Sequence, residues 1–444
     1  NKLRQESIHG QLRVSVRTHF YIGGISMATI RPFKGIRPVT DLASKIAALP
    51  YDVMNSEEAR EMVIGNPHSF LHVDRAEIDL DPSIDVHDQK VYEKAKENLD
   101  KMISGGEYTQ DEQPCLYIYR QVMNGRSQTG IVFCASIDDY MNNIIKKHEF
   151  TRADKEQDRI NHVDYCDANT GPIFLTYKEE QIASEIIEAW IENESKRKPI
   201  YNFVAEDGIQ HIVWVIDNDI IINELTDLFK EVDYLYIADG HHRSASAVKV
   251  GLKRRAENPD YTGEEEFNYF LAVAFPDNDL MVMDYNRVVK DLNGMTKEEF
   301  LNKLDEKFIV TKSENNAPVK PSKKHTFGMD IENEWYILEA KSGTFDENDP
   351  IEQLDVAILQ NNVLTPILGI KDVRTSDRID FIGGIRGIKE LEKRVNSDMK
   401  IAFSMYPTEV HDIMDVADIG EVMPPKSTWF EPKLRSGLFI HKLS

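Results

Sequence analysis

Apolar and polar positions along this chain change repeatedly between the two-residue period of strands and the three-to-four-residue period of helices. Cys115–Arg120 and Thr129–Cys134 read as strands, and Asn124-Gly125 between them is a hairpin turn. Asn202–Ala205 and His211–Ile216 repeat the pattern around Asp207-Gly208. Tyr234–Ala238, the aromatic run Phe267–Phe275 and Met281–Val289 predict further strands. Helical spacing predicts helices over Ser56–Ile64, His87–Met102, Glu179–Glu194, Ile222–Lys230 and His241–Arg255. Asp41 and Asp138 open two shorter ones, the second running toward Lys147. The mixture predicts an α+β or mixed α/β body and excludes an array of regular repeats.

The organisation changes near Leu292-Asn293-Gly294. Thr296–Lys303 has a helix cap at Thr296, Glu314–Lys324 reads as an exposed connection, and Thr326–Met329 and Trp335–Ala340 pair as strands. The expected division is therefore 27–292 for the main body and 293–444 for a C-terminal α+β region packed on it. Residues 1–26 carry Lys2, Arg4, Arg13 and Arg17 against Glu6 and lack the apolar core of a secretory signal. They are expected to be an expression leader or an N-terminal arm before Met27.

Composition narrows the function classes. The formal charge of -23, from 53 basic and 76 acidic residues, disfavours a broad nucleic-acid surface but leaves room for a small basic pocket. No apolar run reaches a membrane span, so the expected location is the cytoplasm. Three cysteines, Cys115, Cys134 and Cys166, form no disulfide framework and no paired metal motif, and read as core thiols.

The densest chemistry lies at Asp239-Gly-His-His-Arg-Ser244, where an apolar strand runs into a small-residue helix. Asp239 can orient a hydroxyl, hold magnesium or fix a histidine. Gly240 permits a tight turn and a close approach of amides to phosphate. Arg243 can meet two phosphate oxygens, and His241 and His242 can donate to phosphate or move protons. The bland reading is a capped helix with two part-buried histidines. Adjacent histidines do not share a helical face, so zinc is disfavoured and magnesium among phosphates preferred.

A second cluster runs from His148 and Glu149 through Arg152 and Lys155 to Arg159. On one helix Glu149, Arg152, Lys155 and Arg159 would share a side, either as base and anion clamp or as a salt-bridged surface. Arg37 and Asp52 stand beside the constraining Pro38 and Pro50. In Pro424–Lys433, Lys426 can reach phosphate, while Trp429 and Phe430 read as core anchors.

Ile30–Pro38, Leu49–Val53, Asn66–Phe70, Lys146–Glu149, Thr151-Arg152, Ala168–Gly171, Ala238–Arg243, Asp284–Arg287 and Met423–Thr428 together resemble the family filed as domain of unknown function 1015. That family is distantly similar to the ParB/sulfiredoxin group, some of whose members phosphorylate free L-serine. The resemblance implies a ParB/sulfiredoxin-like mixed α/β core and an ATP- and Mg2+-dependent kinase that makes O-phospho-L-serine. DNA-partitioning relatives carry Gly-Glu-Arg-Arg where this chain has Gly240-His-His-Arg243, a departure that disfavours a DNA clamp.

The expected roles follow. Glu149, Asp239, His241 and Arg243 are catalytic, with Glu149 the first choice of base and Asp239 the second and also the metal ligand. Gly240, His241, His242, Arg243, Ser244, Lys155 and Lys426 bind nucleotide. Arg37, Asp52, His148, Arg152 and Arg159 bind substrate. The expected partners are a small amino acid and a nucleotide, with no nucleic acid or membrane and with a homodimer allowed. A metal-assisted phosphohydrolase and a non-catalytic nucleotide-binding regulator are the alternatives.

Overall fold

A computed structural model describes residues 27–444; the expected leader or arm at 1–26 lies outside the described residues. The chain divides into two compact units. Among the described residues the first comprises 27–146, Thr151–Asp279 and Pro432–Ser444; the second comprises Lys147–Phe150 and Leu280–Glu431. The change of organisation expected at 292 falls at 279/280, and thirteen residues return to the first unit. Local pattern does not carry that return, because its strand partners are hundreds of residues earlier: Ile440 pairs with Ile36, and His441 with Asn169.

The first unit is built on a nine-stranded mixed sheet. Its order is Ile145–Lys146, Leu235–Asp239, Ile173–Tyr177, Tyr269–Pro276, Arg126–Ser136, Leu116–Met123, Gln210–Ile216 and Tyr201–Val204, with Ile30–Arg31 also paired to Arg126–Ser136. Two of its pairings are parallel, Leu235–Asp239 with Ile145–Lys146 and Tyr269–Pro276 with Ile173–Tyr177. All five residues of Ile173–Tyr177 are buried, as expected for a strand covered on both faces. Helices Ile182–Glu194 and Asp219–Phe229 cover one face with Ile187, Trp190, Leu225 and Phe229. A second core gathers Phe70, Val91, Ala95, Leu99 and Ile440 around helix Gln89–Ser104. At the hairpin turn Asn124 and Gly125 have φ of 52° and 79°, the left-handed pair that a two-residue turn needs.

The second unit has a six-stranded antiparallel sheet in the order Phe308–Lys312, Glu334–Ala340, Thr326–Ile331, Ile401–Ser404, Tyr285–Val289, Ile379–Gly383. Thr296 caps helix Lys297–Leu304 through a reciprocal pair with Glu299. Helix Asp355–Leu359 runs directly into a π-helical turn, Gln360–Leu364. The mixed α/β body and the additional α+β region that the sequence predicts are both present.

Some local expectations change. The helix expected from Asp138 to Lys147 stops at Met141, and Ile145–Lys146 is a strand. Helix Ala153–Cys166 starts after Arg152, so Glu149 and Arg152 do not share its face with Lys155 and Arg159. The three cysteines are free and buried, and burial pushes Cys115 and Cys166 up to about 12 and Cys134 well above its ordinary value, as befits inert core thiols. Among the described residues no helix is long and apolar enough to cross a membrane.

Candidate phosphate-binding turn

Strand Leu235–Asp239 ends beside an irregularity in its pairing with Ile173–Tyr177, between Ile237 and Asp239. Such bulges re-aim the residues that follow. Gly240 then turns the chain with φ of 94° and opens the 17-residue helix His241–Glu257. No side chain caps that helix. A Cβ on Gly240 would sit 3.2 Å from a guanidinium nitrogen of Arg243, so both the positive φ and the close approach call for glycine. The amides of the first helical turn have no helical acceptor and collect the positive end of the helix dipole.

Arg243 donates from Nη1 to the Pro172 carbonyl at 3.0 Å. Its Nε is buried with no hydrogen-bond partner. The Gly240 amide donates to Asp239 Oδ1 at 2.8 Å, and Lys433 Nζ donates to Asp239 Oδ2 at 3.1 Å. Burial pushes this carboxyl up, but Lys433, Arg243 and His241 outweigh it and hold the group near 2. Asp239 is therefore ionised at neutral pH with both oxygens engaged. Each carboxylate oxygen accepts one hydrogen bond, and magnesium beside nucleotide phosphates asks for only one or two carboxylates.

His241 is buried, and its carbonyl accepts from Ser244 Oγ at 3.0 Å. His242 accepts from the Arg152 amide at Nε2, 3.0 Å away, so the neutral ring carries its proton on Nδ1. Burial first, and the Lys155 charge second, lower His242, which leaves it neutral at pH 7. Lys155 and Asp52 are exposed charges that act on this ring. Ser246 Oγ donates to the carbonyls of Glu156 and His242 at 3.0 and 2.6 Å, joining the two helices.

Arg159 is buried, pairs with Asp158 at 2.8 Å and lies 3.9 Å over the Tyr51 ring. Burial pushes Tyr51 up to about 12. A cavity of about 30 Å³ lies among Tyr51, Asp74, Arg159, His162, Arg243 and Ser436. That is room for one or two waters, so any larger occupant requires lining side chains to move.

The other expected site residues are elsewhere. Arg37 is held by Asp111 through Nε and Nη2, at 3.0 and 2.6 Å, in a separate open depression with Arg197 and Asp217. Its guanidinium is already committed to a carboxylate of its own unit, which argues against a substrate clamp. Arg152 is exposed and paired with Asp154 at 2.7 Å. His148, Glu149 and Lys426 belong to the second unit. There the His148 carbonyl accepts from the Met423 amide at 2.8 Å, and Lys426 lies 5.7 Å over Tyr285 and 5.8 Å over Phe381. Lys433, Tyr51, Asp74 and Ser436 were not anticipated at the turn. Lys433 closed a segment singled out for its other residues, and Tyr51 stood one position before the noted Asp52.

A family model described as "Protein of unknown function (DUF1015)" matches residues 30–357. The chain belongs to this family. No curated protein matches it. Among solved structures, a free serine kinase mutant in complex with AMP is 13% identical, with 70% of this chain and 92% of that one covered at a TM-score of 0.35. A conserved hypothetical protein from Pyrococcus furiosus is 14% identical, covering 70% and 94% at 0.32. SbnI with a C-terminal truncation, from Staphylococcus aureus, is 10% identical, covering 68% and 82% at 0.35. At these scores the likenesses carry no argument about chemistry in this DUF1015 protein.

Proposed function

We propose that this protein transfers the γ-phosphoryl group of ATP to the hydroxyl of free L-serine, giving ADP and O-phospho-L-serine. The observation that carries the reading is the turn itself: an uncapped helix start behind a left-handed glycine, with a guanidinium whose buried Nε lacks a partner. Amides, dipole and guanidinium at one point form a site for phosphate oxygens. The choice of serine rests on what the sequence resemblance implies.

In the transfer, the serine Oγ–phosphorus bond forms and the bond from phosphorus to the bridging oxygen of ADP breaks, the electron pair leaving on ADP. The hydroxyl proton is released to a carboxylate or to solvent. The amides of His241, His242 and Arg243 and the Arg243 guanidinium meet the negative charge carried by the phosphoryl oxygens. Asp239, ionised at neutral pH, accepts a hydrogen bond rather than donating one. Positioning and charge compensation dominate this class of reaction, so a strong base is not required. Magnesium, bound to the nucleotide, would neutralise phosphate charge.

The test is conversion of ATP and L-serine to ADP and O-phosphoserine by the purified protein in magnesium buffer. Arg243→Ala is expected to lower turnover by about 100-fold or more while leaving the melting temperature within a few degrees. Phosphate release that ignores serine, or no product with any small hydroxyl acceptor, would replace this reading.

A further inference from the structure

Arg287 sits in the middle of strand Tyr285–Val289 in the second unit, opposite Phe381 on one neighbouring strand and Phe403 on the other. It is 3% exposed. A charge buried that deeply is ordinarily paired with an opposite one. Here the guanidinium donates from Nη1 to the Tyr285 carbonyl and from Nη2 to the Lys426 carbonyl, the latter at 2.9 Å. Both acceptors are neutral, and they engage two of its five N–H groups. Among the described residues no carboxylate pairs with it. Burial lowers it to about 10, so it keeps its charge at neutral pH. The acids nearby in the sheet are matched elsewhere. Asp284 Oδ2 accepts from Asn286 at 2.6 Å, and its Oδ1 faces Lys320 at 3.8 Å. Asp380 pairs with Arg394 at 2.7 Å.

A second cation meets the same ring. The Arg287 guanidinium lies 5.3 Å from the Phe381 centroid and Lys426 Nζ lies 5.8 Å from it. Lys426 is exposed, and no carboxylate of the described residues pairs with its ammonium. Two like charges held at one ring repel each other, and an anion between them relieves that repulsion. The backbone supplies further donors. Lys426 is left-handed, with φ of 61°, a conformation rare outside glycine that recurs at ligand clamps. Arg287 fixes the Lys426 carbonyl, and Thr408 Oγ1 donates to the Ser427 carbonyl at 2.9 Å. The amides of Lys426, Ser427 and Thr428 donate to no acceptor among the described residues, although Ser427 is buried. Successive N–H groups at such a turn make a concavity for anions.

We propose that Arg287, Lys426 and the amides of Lys426–Thr428 form an anion site within the second unit that takes a phosphate group. Two cations and three amides offer more donors than the two oxygens of a carboxylate accept, whereas a phosphate group presents three strong acceptor oxygens and up to two charges. A bare phosphoanion and the phosphates of a nucleotide share this chemistry. The inference rests neither on the turn at Asp239 nor on serine as acceptor.

The experiment uses the full chain carrying Arg243→Ala, which weakens binding at the Asp239 turn. It is titrated by calorimetry with pyrophosphate and, separately, with ADP at fixed ionic strength, and melting curves are recorded on the same samples. Saturable binding is expected. Added Lys426→Gln is expected to weaken it by about fivefold or more, and Arg287→Gln, which keeps donors for the two carbonyls, by about tenfold or more. Lys426→Arg keeps the charge and is expected to stay within about threefold of its parent. Losses shared by both probes assign the site to a bare phosphoanion; losses confined to ADP assign it to a nucleotide. No binding of either probe overturns the proposal, as does parental affinity in Lys426→Gln or in a folded Arg287→Gln. If Arg287→Gln does not fold, the exposed Lys426→Gln decides. Serine-dependent ADP formation by the unsubstituted protein, present or absent, bears on the kinase reading alone.

Discussion

Two carboxylates, one in each unit, are both desolvated by burial and come out on opposite sides of their ordinary value. Asp239 in the first unit has Lys433 and Arg243 beside it and is held near 2. Asp355 in the second unit is pushed up to about 7, by burial first and then by Asp412 and Glu409. Lys324, whose charge acts on it, spends its ammonium on those two acids at 2.8 Å each. Asp355 Oδ1 accepts from the His325 amide at 2.8 Å, and its Oδ2 is buried without a partner. Desolvation sets neither outcome alone. The charges beside each group decide it: Lys433, Arg243 and His241 outweigh burial at Asp239, whereas Lys324 does not at Asp355.

Neutralising each carboxylate should therefore move stability in opposite directions, and this is the largest expected contrast. Asp239→Asn is expected to cost about 1–3 kcal/mol at pH 7, because Lys433 loses its carboxylate. Asp239 is depressed, so its contribution is present above the ordinary 3.8 and is lost as pH falls from there toward 2. Asp355→Asn is expected to gain about 1–3 kcal/mol at pH 8. Asp355 is raised, so the folded protein holds its proton between about 4 and 7; the penalty grows across that window and the gain of the variant vanishes near pH 4. Urea unfolding at pH 4 and pH 8 checks both, and shifts of the same sign would break the comparison.

Gly240→Ala is expected to cost about 1–2 kcal/mol, from the φ of 94° and the approach of Arg243, and to lower pyrophosphate affinity because the turn must open. Thermal melts and calorimetry on the same sample test this. The smallest effect belongs to the second unit. Thr296→Ala removes a capping box and is expected to cost about 1 kcal/mol in urea unfolding while leaving pyrophosphate affinity unchanged.

What the sequence made legible was local. The strand, turn and helix around Asp239, the Asn124-Gly125 hairpin, the Thr296 cap and the paired strands after Thr326 all rest on neighbours within a few residues, where spacing and turn chemistry act directly. The exposed connection from Glu314 held for the same reason. What stayed hidden was pairing at long range. Asp111 holds Arg37 from 74 residues away, and Lys433 reaches Asp239 across 194. The helix that was to align Glu149 with Arg159 starts only at Ala153, and the Arg152 amide before it donates to His242, 90 residues on. Helical spacing in that stretch could not reveal a competing acceptor on another helix.

The return of Pro432–Ser444 to the first unit also orders events during synthesis. The ribosome finishes the whole six-stranded sheet of the second unit before it releases the residues that complete the first. A nascent chain halted between Arg243 and Lys433 carries the carboxylate and the guanidinium but not the ammonium that pairs with Asp239. Translation must run almost to residue 444 before the turn acquires its full complement of charge.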